Sequence, residues 1–135
     1  MTGTLDLATG PVLLRAANLI VEHGHIKNDF ANENGRDTPG SIAEACGLDP
    51  TDWDDLADPA IADDERDDWQ AARAAALAAL RTLVGHLRPD LKPEAMSRRE
   101  VVEWIGDWND HPDRTPAQVV TAMRAAARET EPSHG

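Results

Sequence analysis

The chain has 135 residues, a formal net charge of −12 and one cysteine. That charge exceeds the magnitude of about 2–8 usual for a small soluble domain and disfavours nonspecific binding to phosphate backbones, which takes clustered Lys and Arg. A lone cysteine excludes an internal disulfide, and no run approaches the roughly eighteen apolar residues that span a bilayer.

With no basic stretch followed by an apolar run near the start, the expectation is a cytoplasmic protein without membrane or direct nucleic-acid contact. Its length implies one domain, 1–135, burying roughly two-thirds of its unfolded surface. Leu, Ile, Val and Phe make up only 25 of the 135 residues, about 19%, so the core material is thin. Four tryptophans offset that shortage, since each carries a large apolar area. The balance predicts a folded domain of modest stability, for which a homo-oligomer is one support. Two lysines against eleven arginines, with 22 alanines, match a high-GC coding source.

The pattern along the chain is all-α: a single small helical domain of four to five helices. Residues 1–8 and 129–135 are polar ends expected to fray. Gly10-Pro11 opens a first helix, with Val12, Leu13, Ala16, Ala17, Leu19 and Ile20 as its buried stripe and Gly24 just past its end. His25 to Thr38 reads as an ordered loop, or as a short two-stranded ribbon near residues 26–38 around Asn34-Gly35. Ser41-Ile42-Ala43-Glu44 has the spacing of a capping box and predicts a short helix through Cys46, ended by Gly47. Asp49-Pro50 and Asp58-Pro59 each look like a cap followed by a first-turn proline. A long helix is expected from about Asp64 to Val84, ended by Gly85, with Trp69, Ala72, Ala76, Leu77, Leu80 and Leu83 on one face and alanines that admit close neighbours.

Two further capping boxes, Ser97–Glu100 and Thr115–Gln118, frame the C-terminal helices. Val101, Val102, Trp104, Ile105 and Trp108 share one face of the first. The second carries Val119, Val120, Met123, Ala126 and Ala127. This helix pair is expected to be the nucleus of the fold, with Trp104 and Trp108 filling the core, Asn109 and Asp110 capping the break, and Asp110 bracing Arg114.

Trp108-Asn109-Asp110-His111-Pro112-Asp113-Arg114-Thr115, followed by Val119, resembles the C-terminal signature of a small actinobacterial and actinophage family of unknown function. That signature reads W/F-N-D-x-P-G-R-T-x-x-x-V, and Asp113 stands where Gly is usual. Gly24, Phe30-Ala31, Asn34-Gly35-Arg36 and Cys46 follow the family's order more loosely. The resemblance implies a small, mainly helical domain, a phage or mobile-element connection, and no particular activity.

Candidate functional residues concentrate between Asp49 and Asp68, where ten carboxylates face one arginine. That is a local charge of −9, leaving −3 for the rest. Asp52, Asp54, Asp55, Asp63, Asp64, Glu65, Asp67 and Asp68 are therefore the candidate partner-binding set, displaying negative charge to a basic protein. The leading expectation is a non-enzymatic acidic interaction protein. A DNA mimic, its carboxylates standing in for phosphates, is a second reading of the same segment.

An enzyme is the reading from a different class: a small hydrolase or transferase with its site near His23, His25 and Cys46. Cys46 sits at a helix C-terminus, where the dipole opposes a thiolate. No Ser-His-Asp order, phosphate loop or Glu-x-x-His pair accompanies it. His23-Gly24-His25 with Asp29 lacks the spacing that fixes a metal, and neither Asp52-Trp53-Asp54-Asp55 nor Asn32-Glu33-Asn34-Gly35 reproduces an EF-hand loop. No metal and no cofactor is expected.

Overall fold

The first helix, α1 (Thr9–His23), is what the other helices pack on. Val12, Leu13, Ala16, Ala17 and Ile20 are all buried along it, as its apolar spacing predicts. It lies against α2 (Thr38–Ala45), α4 (Asp68–Leu87) and, most extensively, α6 (Pro116–Glu129). A single helical turn, α3 (Trp53–Leu56), and helix α5 (Arg98–Asp110) complete the set. The structure, a computed structural model, describes residues 6–58, 60 and 68–130.

Thus the domain is all-α, with five helices of two turns or more and one minimal ribbon among the described residues. That ribbon pairs β1 (Ala31–Asn32) with β2 (Gly35–Arg36) antiparallel, Ala31 opposite Arg36. It is pinned to the end of α1, where the Arg36 amide donates to the Gly24 carbonyl at 3.0 Å. Gly24 has φ +98° and Gly35 φ +147°, and a Cβ on Gly35 would collide with that same carbonyl. Both positions therefore need glycine.

Helix α2 begins four residues before the Ser41 capping box predicted it. Its cap is Asp37, whose Oδ1 accepts the Gly40 amide at 2.6 Å. The supposed box residues are engaged elsewhere: the Ser41 hydroxyl donates to the Thr38 carbonyl, and Glu44 pairs with Arg36 at 2.9 Å. Gly47, at φ +82°, ends the helix as expected. The Asp49 carboxylate folds back on the Thr51 amide and hydroxyl, so helix α3 starts at Trp53 rather than at Pro50. Pro59 lies outside the described residues.

Residues 61–67, and with them the predicted start of the long helix, also lie outside the described set. From Asp68 onward α4 runs through Gly85 to Leu87, past its predicted end. Gly85 is a point of close approach instead of a stop: a Cβ there would sit 3.6 Å from the Pro93 ring. Arg81 holds the linker onto α4 by donating to the Pro93 and Met96 carbonyls.

Both C-terminal capping boxes form as read. Ser97 Oγ accepts the Glu100 amide and Glu100 Oε1 accepts the Ser97 amide, with Thr115 and Gln118 reciprocating likewise. These helices do not form a hairpin nucleus, however. Helices α5 and α6 make little direct contact; both seat on α4, and α6 also on α1. Buried Ala72, Ala75, Ala76 and Ala79 give α4 a surface low enough for neighbours to approach closely. Trp104 and Trp108 are only partly buried at the edge of the core. The tryptophan that fills it is Trp53, 1% exposed, with its indole N–H donating to the Pro39 carbonyl at 2.8 Å.

A second large buried side chain has no apolar signature at all. Arg73 is fully buried on α4, donating to the Leu56 carbonyl at 2.8 Å, the Asp58 carbonyl at 3.2 Å and Gln70 Oε1 at 2.9 Å. It fastens one end of the acidic segment to the helix. Among the described residues no helix is long and apolar enough to cross a membrane.

Candidate functional site

The apolar spacing of α5 continues past Ile105 to position 109, which puts Asn109 on the buried face. It is fully buried, and a buried amide must find partners. Asn109 Oδ1 accepts from the Thr38 amide at 2.9 Å, the Thr38 hydroxyl at 2.7 Å and His25 Nε2 at 2.7 Å. Its Nδ2 donates to the Ile26 carbonyl at 3.0 Å and to Asp110 Oδ1 at 3.1 Å. Burial holds His25 below its ordinary pKa, outweighing the Asn109 bond. The neutral imidazole therefore carries its proton on Nε2.

Neighbouring residues extend the clamp. Asp110 Oδ1 accepts the amide of Asn28, a residue in the left-handed region at φ +66°. Lys27 Nζ donates to the His111 carbonyl at 2.7 Å. Arg114 does not pair with Asp110 as expected. Its Nε donates to the Trp108 carbonyl at 2.9 Å and its guanidinium lies over the Trp108 ring, 4.2 Å from the centroid. That arrangement closes an open helix end and adds a cation–π contact. The loop at 25–30 is thereby fixed against the last two turns of α5.

Between that loop and α5 lies a groove of about 460 Å³. Phe30, Val102 and the bare backbone of Gly106 supply its apolar part. Asp29, Asp37, Glu103, Asp107 and Asp110 line the rest, and no lysine, arginine or histidine does so among the described residues. Glu103 and Asp107 are exposed at the rim, whereas Asp37 is 4% exposed. Burial, with the charges of Asp110 and Asp29 adding to it, pushes the Asp37 carboxyl up to about 8. At neutral pH it is mostly protonated.

A family model matches residues 6–129, which include the clamp and the whole groove. The chain belongs to the family of unknown function DUF6197. No curated protein and no solved structure matches it.

In this DUF6197 domain the signature residues each hold structure together: Trp108 beneath Arg114, Asn109 and Asp110 against the 25–30 loop, and Thr115 as the cap of α6. Of the acids marked in the middle segment, Asp55 and Asp68 are exposed and Asp52 is half-buried. Desolvation, then Asp55 and Asp49, raises the Asp52 pKa. Asp63, Asp64, Glu65, Asp67 and the side chain of Asp54 lie outside the described residues. Asp52, Asp55 and Asp68, the marked acids whose side chains are described, do not line the groove.

His23 is exposed at the end of α1, while His25 is engaged by Asn109. Cys46 is 3% exposed and burial pushes its thiol up to about 12, so no thiolate forms at neutral pH. No group of three His, Cys, Asp or Glu could hold a metal ion among the described residues.

Sequence reading passed over the groove acids, though two signals mark them. Glu103, Asp107 and Asp110 recur at spacings of four and three, one stripe of α5. Asp37-Thr38-Pro39 is a cap followed by an early-turn proline, a better start than Ser41.

Proposed function

We propose that this protein is a non-enzymatic acidic interaction module that captures a basic protein partner. The observation that carries the reading is the α5 groove, a concave surface lined by five acidic side chains and, among the described residues, by no cation, in a chain of net charge −12. Interaction sites couple an apolar patch to a polar rim, and complementary charge steers the encounter. The middle-segment acids Asp52, Asp54, Asp55, Asp63, Asp64, Glu65, Asp67 and Asp68 belong to the same display, extending the negative field that draws the partner in. A cytoplasmic protein of actinobacterial phage or mobile-element origin is the setting that the signature resemblance supports.

Affinity capture from the native host, followed by mass spectrometry, tests this. Neutralising Asp52, Asp55, Asp63 and Asp68 to Asn, or Glu103 to Gln with Asp107 to Asn, is expected to weaken capture and flatten its salt dependence. Capture of the same partner at unchanged strength by both variants would exclude an acidic binding surface.

A further inference from the structure

We propose that the groove between the Asn28–Phe30 loop and α5 is a receptor for one arginine side chain of that partner, with Asp37 as the deep pole. The inference rests on the acidic-module reading and adds to it a specific pocket and a specific side chain. A volume of about 460 Å³ falls in the range of ligand sites, roughly 300–1,000 Å³.

Asp37 separates this site from a mere cluster of charges. One of its oxygens, Oδ1, is taken by the Gly40 amide. The other, Oδ2, has no hydrogen-bond partner among the described residues, although the side chain is almost wholly buried. Among the described residues no fully enclosed polar side-chain atom is left unpaired, so Oδ2 is the accessible part of a side chain that lines the groove. A carboxyl oxygen without a donor, on an otherwise buried side chain that lines a pocket, is the complement of an incoming N–H group.

The walls select the rest of the ligand. Phe30, Val102 and the bare Gly106 backbone offer apolar surface for an alkyl stem, and Glu103 and Asp107 stand at the rim. A planar guanidinium presents five donors and is more weakly hydrated than an ammonium, so it loses less on entering a half-dry site. Its charge also favours ionised Asp37. Binding thus expels the carboxyl proton to solvent, and affinity rises as pH approaches the Asp37 pKa from below.

The experiment uses the full chain, ¹⁵N-labelled, titrated with acetyl-Gly-Gly-Arg-Gly-Gly-amide and with the same peptide carrying citrulline. The arginine peptide is expected to shift the Gly40, Gly106 and Asn28 amides, and the citrulline peptide to leave them unmoved. Glu103→Gln with Asp107→Asn, both exposed and so safe for folding, is expected to weaken the interaction about tenfold. Gly106→Leu should abolish it by filling the groove, since nothing lies within 4 Å of a Cβ there. Shifts scattered over the acidic surface, shifts that survive Gly106→Leu, or no shifts at all would each overturn the arginine pocket. Salt-sensitive capture of a basic partner by the Gly106→Leu protein would show that the module reading stands while the pocket falls.

Discussion

Asn109 Oδ1 lies 2.9 Å from the Thr38 amide nitrogen and 2.7 Å from the Thr38 hydroxyl, so the end of α5 supplies an acceptor to the start of α2. Removing it strands buried donors as well as the Ile26 carbonyl, each unsatisfied group costing about 1–3 kcal/mol. Asn109→Ala is expected to lower stability by roughly 2–4 kcal/mol, measured by urea unfolding. A loss below about 1 kcal/mol would mean that water replaces the amide without penalty.

Asp37 gives the fold a pH dependence whose sign can be worked out. Its folded pKa, about 8, stands above the ordinary 3.8, so between those values the folded state holds a proton that the unfolded chain has released. Stability therefore declines as pH rises through that window, by at most about 1.4 kcal/mol per unit. His25, with its pKa lowered, acts oppositely, losing stability only as pH falls below about 6.5. Asp37→Asn preserves the helix cap and is expected to flatten the decline between pH 6 and 8. Identical slopes in denaturant titrations of the two proteins would contradict a protonated Asp37.

Two glycines should respond in opposite directions. Gly35→Ala forces a Cβ onto the Gly24 carbonyl at φ +147° and is expected to cost about 2 kcal/mol or more. Gly106 sits inside α5 with open space around it, so Gly106→Ala should stabilise by about 0.5–1 kcal/mol through helix propensity. Thermal melts of both variants make the comparison.

Arg73→Lys keeps the charge and loses the fork that reaches the Leu56 and Asp58 carbonyls. Destabilisation of about 2–4 kcal/mol is expected, together with faster proteolysis between residues 56 and 68. A cleavage pattern unchanged from wild type would show that the segment is held by other means.

Cys46 should resist iodoacetamide in the native protein and react only on unfolding, because its thiol is buried and pushed up to about 12. Prompt labelling at pH 7.5 would revive the enzyme reading built on His23, His25 and Cys46.

What the sequence announced was what neighbouring residues decide among themselves: helix periodicity, the boxes at Ser97 and Thr115, the glycine stop at Gly24. It hid what distant residues decide. Ser41–Glu44 imitated a cap because nothing local shows that Glu44 is committed to Arg36. The C-terminal helices looked like partners because both are amphipathic, whereas the alanine face of α4 draws each of them separately. Asn109 and Arg73 occupy apolar-face positions, a clue overlooked because polar residues there are usually assigned to solvent. The groove needed two segments brought together across more than sixty positions, which no spacing rule encodes.

The clamp at Asn109 also sets an order of events during synthesis. Asp37 leaves the ribosome long before Glu103, Asp107 and Asn109 do, so the groove's second wall is always the late arrival. A nascent chain stopped before α5 lacks that wall, and the groove exists only once Glu103, Gly106 and Asp107 are in place.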